Sequence, residues 1–113
     1  MVAHRHVRNY QLLKENQLRY LVQMVGESLN DTELFPTLTQ KAALYAHHII
    51  TGHIFLDGNK RIGLDCALWF LAMNGCSLRL DINESIIELG LRIADGTLTD
   101  LEAIADRLES WIL

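Results

Sequence analysis

Between Asn59 and Asn74 the chain carries apolar residues on nearly every side of a helical wheel: Ile62, Cys66, Ala67, Leu68, Trp69, Phe70, Leu71 and Met73. A helix that is apolar all round belongs in the middle of a structure, so the remaining elements must be arranged about it. Asn74-Gly75 supplies its C-terminal stop. The uninterrupted apolar run, Cys66 to Met73, is far short of the ~20 residues that span a bilayer. The burial it demands is therefore protein, not lipid.

The flanking segments read as amphipathic helices. Residues 9–25 place Tyr10, Leu13, Tyr20, Leu21 and Met24 at helical spacing, with a gap at Gln17 and a stop at Gly26. Glu27 to Phe35 reads as a loop with Asn30 and Asp31 as turn formers. Pro36 opens the next helix, where its missing N–H costs nothing. Leu38, Ala42, Tyr45, Ala46 and Ile49 form its apolar face, and Gly52 ends it. Beyond Gly75, Leu78-Arg79-Leu80 alternates and suits a short extended stretch. Asn83 caps a helix with face Ile86, Ile87, Leu89, Gly90 and Ile93, stopped at Gly96. Thr99-Asp100-Leu101-Glu102 reads as a capping box for a last helix whose stripe is Leu101, Ile104, Ala105, Leu108 and Ile112. The fold class is all-α, and strands have little support.

One domain of 113 residues follows from the length. Ten basic against fourteen acidic residues give a net charge of −4, so a basic face for nucleic acid is not suggested. Cys66 and Cys76 are too few for a disulfide framework and match no zinc spacing, which favours reduced thiols and a cytoplasmic setting. No signal segment or membrane span is visible. A mean hydropathy of +0.11 points to some apolar surface covered by a partner or a missing segment.

The chemistry concentrates in His53-Ile54-Phe55-Leu56-Asp57-Gly58-Asn59-Lys60-Arg61, a loop running into the start of the apolar helix. A helix N-terminus offers unpaired N–H groups and partial positive charge, and so favours anions. Gly58 admits close backbone approach. Lys60 and Arg61 add fixed charge, with Arg61 able to grip phosphate oxygens two at a time. Asp57 is an acid among these cations. A lone carboxylate at a phosphate site suits magnesium, which takes oxygen ligands and substrate phosphates; a helix cap is the plainer reading of the same residue, and both can hold. His53 is the residue of the loop suited to moving a proton near neutral pH. Base, magnesium carboxylate and phosphate cradle together indicate phosphoryl or nucleotidyl transfer. Alone, Lys60 and Arg61 would read as solvated surface charge. His47 and His48 are neighbours in sequence and so face apart on a helix, which argues against a metal site built with His53 and Asp57.

His53 to Arg61 resembles the signature loop of the Fic/Doc family, H-x-F-x-(D/E/N)-(G/A)-N-(G/K)-R. The continuation Ile62 to Gly75 and the two C-terminal helices, with their Ala94-Asp95-Gly96 stop, resemble the Doc, or death-on-curing, toxin branch. The likeness covers residues 40–113 well. Val7-Arg8-Asn9 with Leu12-Leu13 resembles more weakly a V-R-(D/N)…L-L segment of that branch. The resemblance implies an all-α fold and gives each loop residue a role. His53 would be the base that deprotonates a hydroxyl on a target protein. Phe55 would anchor the loop, and Asp57 would bind magnesium bridging the nucleotide phosphates. Gly58, Asn59, Lys60 and Arg61 would form the anion cradle. Most Fic proteins have glycine where Lys60 stands and transfer AMP. The Doc branch has lysine there, holds the nucleotide the other way round and transfers the terminal phosphate of ATP. The family's typical target in that branch is translation elongation factor Tu, within a toxin–antitoxin pair.

Leu64 stands where the longer Fic pattern has a second arginine, which again favours the Doc branch. The inhibitory (S/T)-x-x-x-E-(G/N) motif is missing, so restraint is expected from an antitoxin helix in trans, in a groove beside the loop lined partly by residues 36–52. Doc-like chains carry a further helix before the V-R-N segment, and this chain starts close to it. The expectation is thus a single domain, 1–113, without that helix and with apolar surface that permits self-association. The alternatives are AMP transfer by the same loop and a non-catalytic nucleotide- or protein-binding module.

Overall fold

A computed structural model describes residues 12–26, 28–29, 32–33 and 35–113. It contains helices α1 (Glu15–Val25), α2 (Leu38–Gly52), α3 (Asn59–Met73), α4 (Asn83–Ala94) and α5 (Leu101–Glu109). Between α1 and α2 lies a minimal antiparallel pair, β1 (Ser28–Leu29) and β2 (Thr32–Glu33), in the register Ser28 to Glu33 and Leu29 to Thr32. The all-α class holds, with this short ladder standing where a plain loop is expected. Asn30 and Asp31, read as turn formers, lie outside the described residues, as do Val7, Arg8, Asn9 and Tyr10.

Helix α2 is the hub of the packing, touching α1, α3, α4 and α5. Its small residues make this possible. Ala42, Ala43 and Ala46 are fully buried and let neighbouring helices approach closely, while Leu44, Ile49 and Ile50 fill the gaps. The larger core cluster joins α2 to Leu64, Ala67 and Leu71 of α3, Leu89 and Ile93 of α4, and Ile104 and Leu108 of α5. A smaller one joins α1, through Leu21 and Val25, to Leu44, Ile49, Ile54 and Ile62. Ile54 belongs to the signature loop, so the loop is rooted in a core.

Helix α3 is buried on one side only. Ile62, Leu64, Ala67 and Leu71 face inward, but Trp69 is 63% exposed and Met73 70% exposed. Apolar composition overstated its burial, because α2 contacts four neighbours and takes the central place instead. At Gly63 the two helices meet backbone to side chain: a Cβ there would lie 2.8 Å from Ile50 Cγ1 and 3.1 Å from the Ala46 carbonyl oxygen.

The ends of the elements follow local hydrogen bonding. Helix α1 starts at Glu15, not near residue 9, because Leu13 and Lys14 spend their backbone N–H groups on the Ile54 carbonyl, at 2.9 and 3.2 Å. Leu13 and Tyr20 are exposed; Leu18, Leu21, Met24 and Val25 carry the inward face. Helix α2 opens at Leu38, two residues beyond Pro36, behind a capping box. Thr37 Oγ1 accepts from the Gln40 N–H and Gln40 Oε1 accepts from the Thr37 N–H, both at 3.1 Å. Helix α3 ends in a Schellman motif: the N–H of Gly75 (φ 90°) reaches the Ala72 carbonyl at 3.1 Å, and that of Cys76 the Leu71 carbonyl at 3.0 Å. Leu78 is extended as expected and bridges to Ile112. Asn83 is the first residue of α4 and not its cap; the N-cap, Ile82, makes no side-chain cap bond. The cap of α5 is Asp100, accepting from the Glu102 N–H at 3.3 Å, and not Thr99. Among the described residues no helix is long and apolar enough to cross a membrane.

Candidate active site

Helix α2 runs out at Gly52, and His53 turns the chain in the left-handed conformation, φ 49° and ψ 49°. Among the described residues it is the one non-glycine with positive φ. For an L-residue that conformation costs roughly 1–2 kcal/mol and needs support from its surroundings. Support comes from both sides. Upstream, the extended residues 12–14 lie against the loop: Leu12 bridges Phe55, and Leu13 and Lys14 hold the Ile54 carbonyl. The Lys14 ammonium donates to the Gly52 carbonyl at 2.7 Å. Downstream, the Asn59 carboxamide spans Phe55, accepting from its N–H at 3.0 Å and donating to its C=O at 2.9 Å.

Gly58 then takes φ 78° and caps α3. This second left-handed residue turns the chain into the helix, so that the first-turn N–H groups of α3 open beside the loop. The Gly58 N–H is accepted by Asp57 Oδ1 at 2.7 Å. Asp57 is exposed, as are His53, Lys60 and Arg61. Arg61 Nε donates to Asp65 Oδ2 at 3.1 Å along the helix. An exposed i,i+4 pair of this kind is worth only ~0.3–0.5 kcal/mol, weak enough for a stronger anionic partner to displace.

These residues share one open cleft of about 900 Å³. His53, Asp57, Gly58, Asn59, Lys60 and Arg61 form one side. Ile86, Ile87 and Leu91 of α4 form an apolar wall. The volume is that of a small-ligand or cofactor pocket. The helices meet at its base, where a Cβ on Gly90 would stand 3.5 Å from the Lys60 Cβ.

The Fic/DOC family profile matches residues 4–71. The chain belongs to the Fic/DOC family. The match takes in α1, the β1–β2 pair, α2, the signature loop and most of α3, and begins well upstream of residue 40. No curated protein matches the chain. Fic/DOC proteins are generally transferases that modify other proteins, and they generally bind ATP.

The residues present fit such a nucleotide. The cleft joins a polar side with first-turn N–H groups and two cations to an apolar wall. Among the described residues no three His, Cys, Asp or Glu side chains come together as a metal cage. Magnesium does not need one: it commonly binds through one or two carboxylates plus substrate phosphates. Asn59, expected in the cradle, has a further partner. It lines the cleft, but its side chain is engaged with Phe55, which makes it a staple of the loop. Lys14 was not singled out in the sequence at all, because its contact spans 38 positions.

The histidine pair on α2 stands apart. His47 and His48 have ring centroids 5.3 Å apart and nearly perpendicular, and neither lines the cleft. His47 Nδ1 is buried without a hydrogen-bond partner among the described residues. Burial, then the neighbouring His48, pushes the His47 pKa below the usual histidine value. Cys66 is half-buried against the smaller core cluster. Burial, then Asp65, pushes its thiol up, the reverse of what an activated nucleophile needs.

Proposed function

We propose that this Fic/DOC protein is a toxin-like, cytoplasmic transferase of the Doc branch that moves the terminal phosphate of ATP to a hydroxyl of a target protein. The observation that carries this reading is the shared cleft: His53, Asp57, Gly58, Lys60 and Arg61 all line it. The whole chain, 1–113, acts as the one domain. Bound ATP with magnesium supplies the transferable phosphoryl group and its charge neutralisation.

The roles of the chain's own groups follow from their chemistry. His53 accepts the proton of the target hydroxyl as that oxygen bonds the γ-phosphorus and the bond to the β-phosphate oxygen breaks, releasing ADP. Asp57 offers a carboxylate oxygen to the magnesium ion. Gly58 lets phosphate come close to the backbone, and the first-turn N–H groups of α3 stabilise its oxygens. Lys60 and Arg61 balance the remaining negative charge. Lys60 favours terminal-phosphate transfer over AMP transfer, since its ammonium fills space and adds charge where a glycine would leave both open. Elongation factor Tu is the proposed target. Restraint comes from an antitoxin helix in trans, and the exposed apolar residues permit self-association.

ATP labelled at the γ- or the α-phosphate tests the reading with elongation factor Tu as acceptor. Transfer of γ-label, lost in His53→Ala, is expected. Transfer of α-label establishes AMP transfer instead. Label in neither position, with ATP bound, supports the binding-module reading.

A further inference from the structure

We propose that Lys14 is a positioning residue for His53, acting as a detached C-terminal cap of α2. Four observations converge on it. Helix α2 has no basic residue in its last turn, so its terminal carbonyls and the negative end of its dipole lack a cation of their own. The Lys14 ammonium supplies one, donating to the carbonyl of Gly52, the residue before His53, at 2.7 Å. The Lys14 backbone N–H holds the carbonyl of Ile54, the residue after His53, at 3.2 Å. One residue thus grips the chain on both sides of a left-handed histidine whose conformation is unfavourable by itself.

The gap at Gln17 in the α1 stripe falls at the same place: its Oε1 lies 3.7 Å from where a Gly52 Cβ would be. Beside the apolar contacts of Leu21 and Val25, α1 therefore also brings a polar group to the last residue of α2. With Lys14 in place, the peptide units flanking His53 cannot rotate freely, and the imidazole is aimed into the cleft. Without it, the carbonyl of Gly52 loses its partner and residue 53 relaxes toward ordinary backbone conformations. The consequence for catalysis rests on the reading of His53 as the base; the consequence for the backbone does not.

The test uses the full chain with Lys14→Met, Lys14→Arg and, as a control for an exposed cation on α1, Arg19→Met. The first readout is NMR: the ¹³Cα and ¹³Cβ shifts and the HN–Hα coupling of His53, which distinguish left-handed from averaged backbone. Lys14→Met should move these toward averaged values, while Lys14→Arg and Arg19→Met should leave them left-handed. The second readout is label transfer from ATP, where Lys14→Met should lower kcat about tenfold at unchanged KM for ATP, with Lys14→Arg restoring it. Unchanged His53 resonances in Lys14→Met overturn the proposal. So does a change spread through the whole chain and not centred on residues 52–55, which would mark Lys14 as a general stabiliser. Equal label transfer by the wild type and His53→Ala would sink the base assignment while leaving the NMR result standing.

Discussion

The side chain of Asn59 and the backbone of Phe55 form a closed pair of hydrogen bonds, 3.0 Å from the Phe55 N–H to Oδ1 and 2.9 Å from Nδ2 to the Phe55 carbonyl. A side chain on the first turn of α3 thereby satisfies both polar groups of a loop residue, as a neighbouring strand would. Removing it leaves two partly buried backbone groups without partners. Asn59→Ala should cost about 1–3 kcal/mol, the scale of two net hydrogen bonds, measured by urea unfolding. Asn59→Asp should cost more than Ala, since it replaces the donor with an oxygen facing the Phe55 carbonyl. Equal stability of Asp and Ala variants would show that the staple has the wrong orientation.

Two glycines should respond in opposite directions. Gly63→Ala puts a methyl 2.8 Å from Ile50 Cγ1 and 3.1 Å from the Ala46 carbonyl, and overpacking against backbone costs roughly 1–3 kcal/mol. Gly90→Ala meets only the Lys60 Cβ at 3.5 Å, an ordinary contact, and gains the ~0.5–1 kcal/mol by which alanine exceeds glycine inside a helix. Thermal melting of the two variants should therefore move the midpoint down for Gly63→Ala and up for Gly90→Ala.

His47 sets a pH dependence. Its folded pKa lies below its unfolded one, through burial and then His48, so below the unfolded value of ~6.5 the unfolded chain binds the extra proton first. Stability contributed by neutral His47 is complete above that value and declines as pH falls toward the folded pKa. His47→Phe removes both the titration and the unpartnered Nδ1. Denaturation midpoints from pH 5 to 7.5 should rise with pH more steeply for the wild type than for this variant. The carboxylates Asp81 and Asp95, held low by hydrogen bonds from Arg79 and Thr97 respectively, titrate at lower pH and do not enter this window.

Magnesium dependence tests Asp57. Chelation with EDTA should abolish label transfer from ATP in the wild type. Asp57→Asn keeps an oxygen able to accept from the Gly58 N–H but loses the charge, so folding should be retained. Its transfer rate should fall by at least ~10-fold, one pK-unit-scale interaction lost, and it should depend less on added magnesium. Wild-type affinity for magnesium and rate in Asp57→Asn would assign the carboxylate to capping alone.

The helices and the signature loop could be read from the sequence because both are local. Apolar spacing in residues 38–52 and 101–108 reports burial directly, and Gly52, Gly75 and Gly96 mark real ends. The failures come from contacts that no local pattern encodes. Leu13 and Lys14 look helical by spacing, but the Ile54 carbonyl claims their N–H groups and keeps them out of the helix. Trp69 and Met73 look like core by type, but the hub of the packing is α2, whose alanines give no strong hydropathy signal. Asn59 was legible as part of the motif, while its bond to Phe55 was visible only once the loop had a shape.

Helix α4 turns Leu89 and Ile93 to the core and Ile87 and Leu91 to the cleft, the latter two 64% and 51% exposed. One helix thus answers to two separate demands, and they fall on different residues. Replacements at Ile87 or Leu91 can reshape what the cleft admits at little expense in foldedness, while those at Leu89 or Ile93 cannot. The signature loop stands on another stretch of chain and need not change with them. Variation along a single helical face can thus alter the shape of the cleft while the loop opposite stays as it is.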